Sequence, residues 1–253
     1  MDRNVTDRER LLAAFDAQVR AGASGPSQMR VGSLTVATGP DGGQVVGVAA
    51  TTETGSLAAR LREVFADRGE QIQWPLYGHD RVGDLANRLR DAGFVAAAPE
   101  TLMVARSRTA ARAATDLRGV TARAGAEPDL PAVAAAHAQL LGGAQEQLLP
   151  VFTARLASDR WRLFVGDAGG QVVSAGWLDV APGGDFGVLY GGMTLPQWRG
   201  RGGYRAVVAA RARAAARRAP LVCVEASEAS RQVLAGMGFE ELTTVTTWRW
   251  APR

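Results

Sequence analysis

The chain has 253 residues, enough for one large or two modest domains with a sizeable core. Its 47% hydrophobic and 21% charged residues are typical of a globular protein, and no stretch approaches the ~20 apolar residues of a membrane-spanning helix. The formal net charge of +4 favours an anionic partner, and because all 29 basic residues are arginine, their charge persists at any physiological pH.

Cysteine and histidine are scarce, which excludes several kinds of site. The single cysteine, Cys223, excludes an internal disulfide, and its apolar neighbours predict a buried strand position. The two histidines are far apart in sequence, so we expect no metal site. Residues 1–10 are polar and lack the apolar segment of a signal peptide, which predicts a cytoplasmic location.

The first half of the chain predicts alternating strands and helices from its apolar periodicity. In chain order these are strands at 30–37 and 45–51, a helix at 56–68, a strand at 71–77, a helix at 81–91 and a strand at 94–104. Residues 107–118 contain few large apolar side chains, so we interpret them as a linker.

The second half predicts a longer series of elements by the same criteria. They are a strand at 119–123, helices at 129–141 and 144–157, strands at 160–167, 171–180 and 186–195, a helix from 202, a strand at 221–225, a helix at 227–237 and a final strand pair that ends at Trp250.

The two halves finish alike. Residues 89–94 (LRDAGF) parallel residues 234–239 (LAGMGF), and a threonine stands seven residues after each phenylalanine, at Thr101 and Thr246. The spacing indicates an internal duplication. Chance recurrence of a helix that stops at glycine before a strand is the alternative.

The most informative segment follows the predicted strand at 186–195. Residues 196–205 (PQWRGRGGYR) carry glycines at 200, 202 and 203 and arginines at 199, 201 and 205. A strand that breaks into a glycine-rich turn before a helix leaves unpaired backbone N–H groups at the helix start, where the helix dipole also favours an anion. The segment therefore predicts a binding site for a phosphorylated ligand.

Other interpretations of this segment are weaker. A P-loop needs Gly-Lys-Ser/Thr after its glycines, and the chain contains no lysine. A dinucleotide-binding fingerprint needs a glycine where Arg205 stands. A glycine-rich turn with a solvated arginine face stays open as the purely structural alternative.

The motif Pro-x-x-Arg-Gly-x-Gly after a strand, here at 196–202, resembles the acyl-CoA loop of the GCN5-related N-acetyltransferase (GNAT) superfamily. The family's loop is usually Arg/Gln-x-x-Gly-x-Gly/Ala. It matches in two registers, from Gln197 by its letters and from Arg199 by its distance to Pro196. We prefer the second register, in which Tyr204 replaces the small residue of the family pattern.

The resemblance implies an α+β (mixed α/β) fold with a mostly antiparallel sheet flanked by helices, in two related domains. Residues 1–106 would form a degenerate GNAT-like domain, 107–118 a linker and 119–253 the catalytic domain. The corresponding junction of the first half, residues 51–56, lacks the paired glycines and carries Glu53, a carboxylate that would repel phosphate. We therefore expect one working site, in the second half.

The resemblance also implies acetyl-CoA as co-substrate. In this family the pantetheine arm pairs with the split strand before the loop, and the pyrophosphate lies on the loop itself. The family has an asparagine, which contacts the cofactor, where this chain has Ser227; a helix N-cap is the structural alternative there. The implied cofactor-binding residues are Gly192, Met193, Thr194, Arg199, Gly200, Arg201, Gly202, Gly203, Tyr204, Arg205 and Ser227.

The catalytic residues are less clearly marked. Leu234 stands where the family has a tyrosine that protonates the departing thiolate, so that acid is missing. Tyr190 on the split strand and Glu225 at the end of the next strand are the candidates to replace it. Each has a structural alternative, Tyr190 as a core residue with a satisfied hydroxyl and Glu225 as a surface carboxylate near a helix start.

These observations predict an acetyl-CoA-dependent N-acetyltransferase that acetylates a primary amine of a small molecule or peptide by direct attack. The alternative is a non-catalytic acyl-CoA-binding regulatory module, which Leu234 and Tyr204 favour. Arginines scattered among acids, without a basic tail, argue against a nucleic-acid partner, and we expect no membrane partner. A homodimer is left open.

Overall fold

The structure is a computed structural model that describes residues 3–21, 27–39, 42–46, 54–80, 82–113, 119–141 and 144–252. The chain divides into two compact units. The first comprises Met1–Leu102 and Leu242–Arg253, and the second comprises Met103–Glu241.

The elements from the amino terminus to residue 112 are helix α1 (Arg3–Phe15) with a π-helical continuation (Asp16–Arg20), strands β1 (Ser27–Val31), β2 (Leu34–Gly39) and β3 (Gly42–Val46), helix α2 (Thr54–Asp67), strand β4 (Ile72–Tyr77), helix α3 (Leu85–Asp91), strands β5 (Val95–Ala96) and β6 (Glu100–Arg106), and helix α4 (Ser107–Arg112).

The remaining elements are strand β7 (Thr121–Ala124), a 3₁₀ turn (Glu127–Asp129), helices α5 (Leu130–Leu141) and α6 (Gln145–Ala157), strands β8 (Trp161–Ala168), β9 (Gln171–Val180) and β10 (Phe186–Thr194), a 3₁₀ turn (Pro196–Trp198), helix α7 (Gly203–Ala215), strand β11 (Leu221–Ala226), helix α8 (Glu228–Ala235) and strand β12 (Glu240–Trp250).

The first unit contains a sheet in the order β1-β2-β3-β4-β12, with β5 also paired to β12. Strands β1 to β3 form an antiparallel meander, β3 pairs with β4 in parallel, and β12 is antiparallel to β4. Its core gathers Leu61, Phe65, Trp74, Leu89 and Trp248, each at most 4% exposed.

The second unit contains a sheet in the order β7-β8-β9-β10-β11-β6, antiparallel from β7 to β10 and parallel between β10 and β11. Gly169 and Gly170 join β8 to β9 with φ of +62° and +87°, as expected of a type I′ hairpin turn. Helices α4, α7 and α8 share a core with one face of this sheet, and α5 and α6 share a core with the other. The predicted fold class, a mostly antiparallel sheet flanked by helices, is confirmed.

Several predicted elements differ from the structure. Residues 107–112, predicted as part of a linker, form helix α4, and its Ser107 donates a buried hydrogen bond of 2.9 Å to the carbonyl oxygen of Ala219. Residues 114–118 lie outside the described residues, as do residues 51–53 of the predicted first-half junction. The predicted final strand pair is the single strand β12, whose residues from Leu242 onward belong to the first unit because they pair with β4.

Both units repeat one order of elements, which supports the predicted duplication. Each has an antiparallel meander, then a helix, then a strand parallel to the last strand of the meander: β3–α2–β4 in the first unit and β10–α7–β11 in the second. The local match in sequence has its own cause. Gly93 and Gly238 both have positive φ, and the following Phe N–H groups bond to Leu89 and Leu234, so both helices end in a Schellman motif.

Candidate active site

Strand β10 opens a gap in the sheet of the second unit. It pairs with β11 from Phe186 to Val188, and among the described residues the pairing stops where Val188 meets Cys223. On its other side β10 stays paired with β9, but the register shifts between Tyr190 and Met193. The edge of β10 from residue 190 onward therefore faces the gap with backbone groups available to a ligand.

The register shift is a bulge made by Gly191 and Gly192, and no larger residue fits there. Gly191 has a φ of +55°, and a Cβ on it would lie 3.1 Å from Nε2 of His137. A Cβ on Gly192 would lie 2.9 Å from Cε2 of Tyr204. Side chains from both faces of the sheet thus converge on this bulge, which explains the paired glycines.

The turn after β10 ends at a helix start with unpaired backbone N–H groups. Gly200 and Gly202 have φ of +73° and +81°, and Gly202 is the left-handed N-cap of α7. The first helical bond runs from the N–H of Ala206 to the oxygen of Gly202. Within the described residues, the three preceding amides of α7 have no acceptor, so they can bind an anion.

A cavity of about 560 Å³ connects the gap with this helix start. Its size is within the usual range for a small-molecule site. Of the eleven residues predicted to bind the cofactor, ten line it; the exception is Arg201, which is exposed and stacks 4.8 Å from the Trp198 ring. The lining residues are Leu140, Gly192, Met193, Thr194, Trp198, Arg199, Gly200, Gly202, Gly203, Tyr204, Arg205, Ser227, Ala229, Ser230 and Val233.

Tyr204 and Ser227 both line the cavity. The Tyr204 ring lies over Gly192, and desolvation raises the pKa of its phenol, an effect moderated by Arg211 and by a hydrogen bond with Ser230. Ser227 is at the N-cap position of α8, but its hydroxyl makes no capping bond and lies 3.2 Å from the Ser230 hydroxyl. The hydroxyl of Ser227 can therefore turn towards a ligand.

The side chains of the two predicted catalytic residues, Tyr190 and Glu225, point to the face of the sheet opposite α7. Neither residue lines this cavity. Glu225 lies between Val224 and Ala226, which belong to the α7 core, so its side chain faces the opposite side of the sheet. The Tyr190 ring lies 5.2 Å from that of Trp161. Tyr190 is 38% exposed, and desolvation, with the charges of Asp179 and Glu225, raises the pKa of its phenol, so the phenol is protonated at neutral pH but is a weaker acid than an ordinary tyrosine.

The imidazole of His137 is a neighbour of the bulge that sequence reasoning did not select. It lies in α5 and contacts Phe152 edge to face at 5.4 Å. Burial lowers the pKa of His137 more than the nearby Gly191 backbone raises it, so the ring is neutral at pH 7. Only the tertiary fold brings α5 to the bulge, so no local sequence signal was available.

Arg211 was also missed. Arg213 and Arg217, in the same part of the chain, are exposed. Arg211 instead falls on the buried face of α7, one turn after Val207 and one turn before Ala215. Arg211 is four residues from Val207 and four from Ala215, and this spacing places it on the apolar face of the helix. That spacing was the signal available in the sequence.

The described ranges contain neither a metal-binding cluster nor a membrane-spanning helix. No group of three or more His, Cys, Asp or Glu side chains is placed to hold a metal ion there. None of the described helices is long and apolar enough to cross a membrane.

Comparison with solved structures identifies the fold. A GCN5-related N-acetyltransferase from Kribbella flavida aligns with a TM-score of 0.67 over 96% of this chain and 95% of its own, at 16% identity. A tandem GNAT protein from the clavulanic acid biosynthesis pathway aligns over the same shares with a TM-score of 0.58, at 14% identity. A functionally unknown conserved protein from Staphylococcus epidermidis gives 0.69 over 90% of this chain and 94% of its own, at 10% identity.

The chain therefore has the GNAT fold, and the resemblance predicted from the turn at 196–205 is confirmed at the level of the fold. No family model matches the sequence, and a search among curated proteins finds no match.

Proposed function

We propose that the second unit is an acetyl-CoA-dependent N-acetyltransferase. The observation that carries this proposal is the meeting of two features in one cavity: the unpaired amides at the start of α7 and the open edge of β10. A pyrophosphate seated on the amides of Gly203, Tyr204 and Arg205 would place the pantetheine arm along Gly192 to Thr194.

The charge around the helix start suits a diphosphate. Arg199 and Arg205 line the cavity, and no carboxylate is among its lining residues. Arg201 lies just outside the lining and adds a third positive charge near the turn. A diphosphate would therefore meet arginines and backbone donors together, the combination that phosphate sites commonly use.

Direct attack by an amine is the mechanism we propose. The amine nitrogen adds to the thioester carbonyl carbon, the C–N bond forms, and the C–S bond then breaks to release the CoA thiolate. Cys223 does not compete as a nucleophile, because it is fully buried and its thiol pKa is raised by burial and by the charges of Glu225 and Asp179. We assign proton donation to Tyr190 and proton acceptance from the amine to Glu225.

We further propose a primary amine of a small molecule or peptide as acceptor, and a degenerate GNAT-like first half without a working site. A non-catalytic acyl-CoA-binding module is the second candidate. Two observations favour it. Leu234 is fully buried at the position where the family has its proton-donating tyrosine, and the Tyr204 ring lies over Gly192. Thiol release from acetyl-CoA across a panel of amines separates the two, since the module predicts binding without turnover.

Calorimetric titration of acetyl-CoA into wild type and a Gly200→Glu variant tests the proposed site. Gly200 is exposed with a φ of +73°, and a Cβ on it meets nothing within 4 Å. A glutamate there places a negative charge beside the diphosphate, and at ~4 Å this costs roughly 1–4 kcal/mol. We expect the Kd to rise about tenfold or more.

Gly170→Glu is the matched control, because Gly170 is also exposed, has a φ of +87° and is open around its Cβ position. It introduces the same backbone strain and the same charge away from the cavity. Equal affinities for the two variants, or no binding of acetyl-CoA to wild type, would remove the proposed function.

A further inference from the structure

The second unit buries an arginine that has no carboxylate partner. Arg211 is 1% exposed, and its hydrogen bonds all go to backbone carbonyl oxygens: Val207 at 3.4 Å, Trp177 at 3.2 Å and Tyr190 at 3.2 Å. No ion pair of Arg211 occurs within the described ranges. A buried charge without a counter-ion is costly, and carbonyl dipoles offset only part of that cost.

The protein makes room for this guanidinium. A Cβ on Gly176 of β9 would lie 2.6 Å from Nη1 of Arg211, so only glycine leaves the space. Trp177 and Tyr190, whose carbonyls accept from Nη1, are partners in the last regular pair of β9 and β10 before the bulge. Nη1 therefore bonds to both strands at the edge of the bulge, and a structural role accounts for this half of the guanidinium.

The other half of the guanidinium has no such explanation. Nη2 has no acceptor among the described residues. It lies 3.3 Å from the position that a Cβ would take on Gly192, and the Tyr204 hydroxyl lies 3.6 Å from the same position. Gly192 and Tyr204 both line the cavity. Arg211 is not itself a lining residue, and the Tyr204 ring lies closer to the same position, at 2.9 Å, so a ligand beside the bulge reaches Nη2 when this ring moves aside.

We propose that Arg211 is a catalytic residue of the acyl transfer, with Nη2 donating a hydrogen bond to the carbonyl oxygen of the acyl thioester bound at Gly192. This inference rests on the proposed function. As the amine adds to the carbonyl carbon, the C=O electron pair moves onto that oxygen, and the guanidinium stabilises the negative charge. The pair returns when the C–S bond breaks, and Arg211 stays protonated throughout.

The burial of Arg211 makes this role effective. Desolvation lowers the pKa of Arg211 to about 10, which still leaves the group charged at neutral pH. In a site with little water, a fixed cation acts more strongly on charge that develops nearby than it would in solution. The Arg211 guanidinium has no counter-ion before the reaction and gains one when the oxyanion of the tetrahedral intermediate forms. Arg211 therefore stabilises the intermediate more than the bound substrate.

Three variants of the full chain test the role by kinetics. We expect Arg211→Met to lower kcat by about 10²–10³-fold, the usual effect of losing one oxyanion donor, and to change the Kd for acetyl-CoA much less. Arg211→Lys should restore part of kcat because it restores the charge. Arg213→Met, on the exposed side of the same helix, is the control and should leave both constants unchanged. Full kcat in Arg211→Met would overturn the role of Arg211.

A spectroscopic measurement on wild type keeps the inference testable if Arg211→Met fails to fold. Isotope-edited infrared spectra of bound acetyl-CoA labelled with ¹³C at the thioester carbonyl should show its stretch below the frequency in water, because a charged donor polarises the bond more. A band at or above the frequency in water would overturn the inference while leaving the proposed function intact. Absence of acetyl-CoA binding would instead remove the proposed function.

Discussion

Individual residues around the bulge differ in what they contribute, and His137 is the clearest case of a partly buried titratable group. Its imidazole packs against Phe152 and lies beside the Gly191 backbone. A ring in this environment is held neutral, and that has a consequence for stability because the unfolded chain has no such constraint.

The free energy of unfolding should therefore fall as the pH drops below about 6.5, the ordinary pKa of histidine. The folded-state pKa of His137 is lowered, so in this window the unfolded chain binds a proton that the folded chain excludes. The loss approaches ~1.4 kcal/mol per pH unit until the folded-state pKa is reached. Urea denaturation of wild type and His137→Gln between pH 5 and 7.5 measures it.

The variant should lack this component, so the two stability curves should converge towards acidic pH. Carboxylates titrate in both proteins and cancel in the difference. Parallel curves across the window would show that His137 is not held neutral by the fold.

Among the elements, helix α7 packs unusually close to the sheet. Seven of its buried residues are alanine or valine, and small side chains allow a short distance between helix and sheet. Helix α7 lies close to β10, where a Cβ on Gly187 would lie 2.8 Å from that of Ala215. Because α7 also carries Gly203, Tyr204 and Arg205, its position on the sheet places the anion-binding amides.

Ala215→Leu should therefore destabilise the protein by about 1–3 kcal/mol, because the added atoms have no space between α7 and β10. Ala135→Leu, at an exposed position of α5, is the control and should change stability by less than about 0.5 kcal/mol. Chemical denaturation measures both. Equal stability of the two variants would contradict the close packing of α7.

Elements with regular apolar patterns could be predicted from the sequence. Strand β9 has the predicted bounds, and helix α5 differs by one residue, because alternation and the 3.6-residue period are local properties. The strand predicted at 94–104 is split into β5 and β6 around Pro99, which lacks a backbone donor. Helix α1 was not predicted, and α4 was taken for a linker because its residues are small and polar.

The part of the candidate site that is contiguous in sequence could be predicted, and the part that the fold assembles could not. Its contiguous part, from residue 192 to 205, was recognised because the turn and the helix start lie next to each other in sequence. His137 and Arg211 were missed, because the fold brings α5 and the buried face of α7 to Gly191 and Gly192. A charged residue on an apolar helix face is the one signal that sequence reasoning could have used.

At the scale of the whole chain, the two units share an order of elements but differ at the equivalent junction. In the second unit β10 leads into the glycine-rich turn and α7, and among the lining residues of the cavity there are arginines but no carboxylates. In the first unit the sequence of the junction between β3 and α2 contains Glu53 and lacks the paired glycines. This difference in sequence supports the proposal that the second unit carries the anion-binding site.

We propose that backbone amides at the start of α7 bind a diphosphate, and titration of ¹⁵N-labelled protein with CoA measures this binding residue by residue. We expect the amide resonances of Gly203, Tyr204 and Arg205 to shift on addition of CoA and to stay in place on addition of pantetheine, which lacks the diphosphate. Amides at the start of α2, in the first unit, should not respond to either. Unchanged α7 amides at saturating CoA, or equal shifts with pantetheine, would contradict the claim.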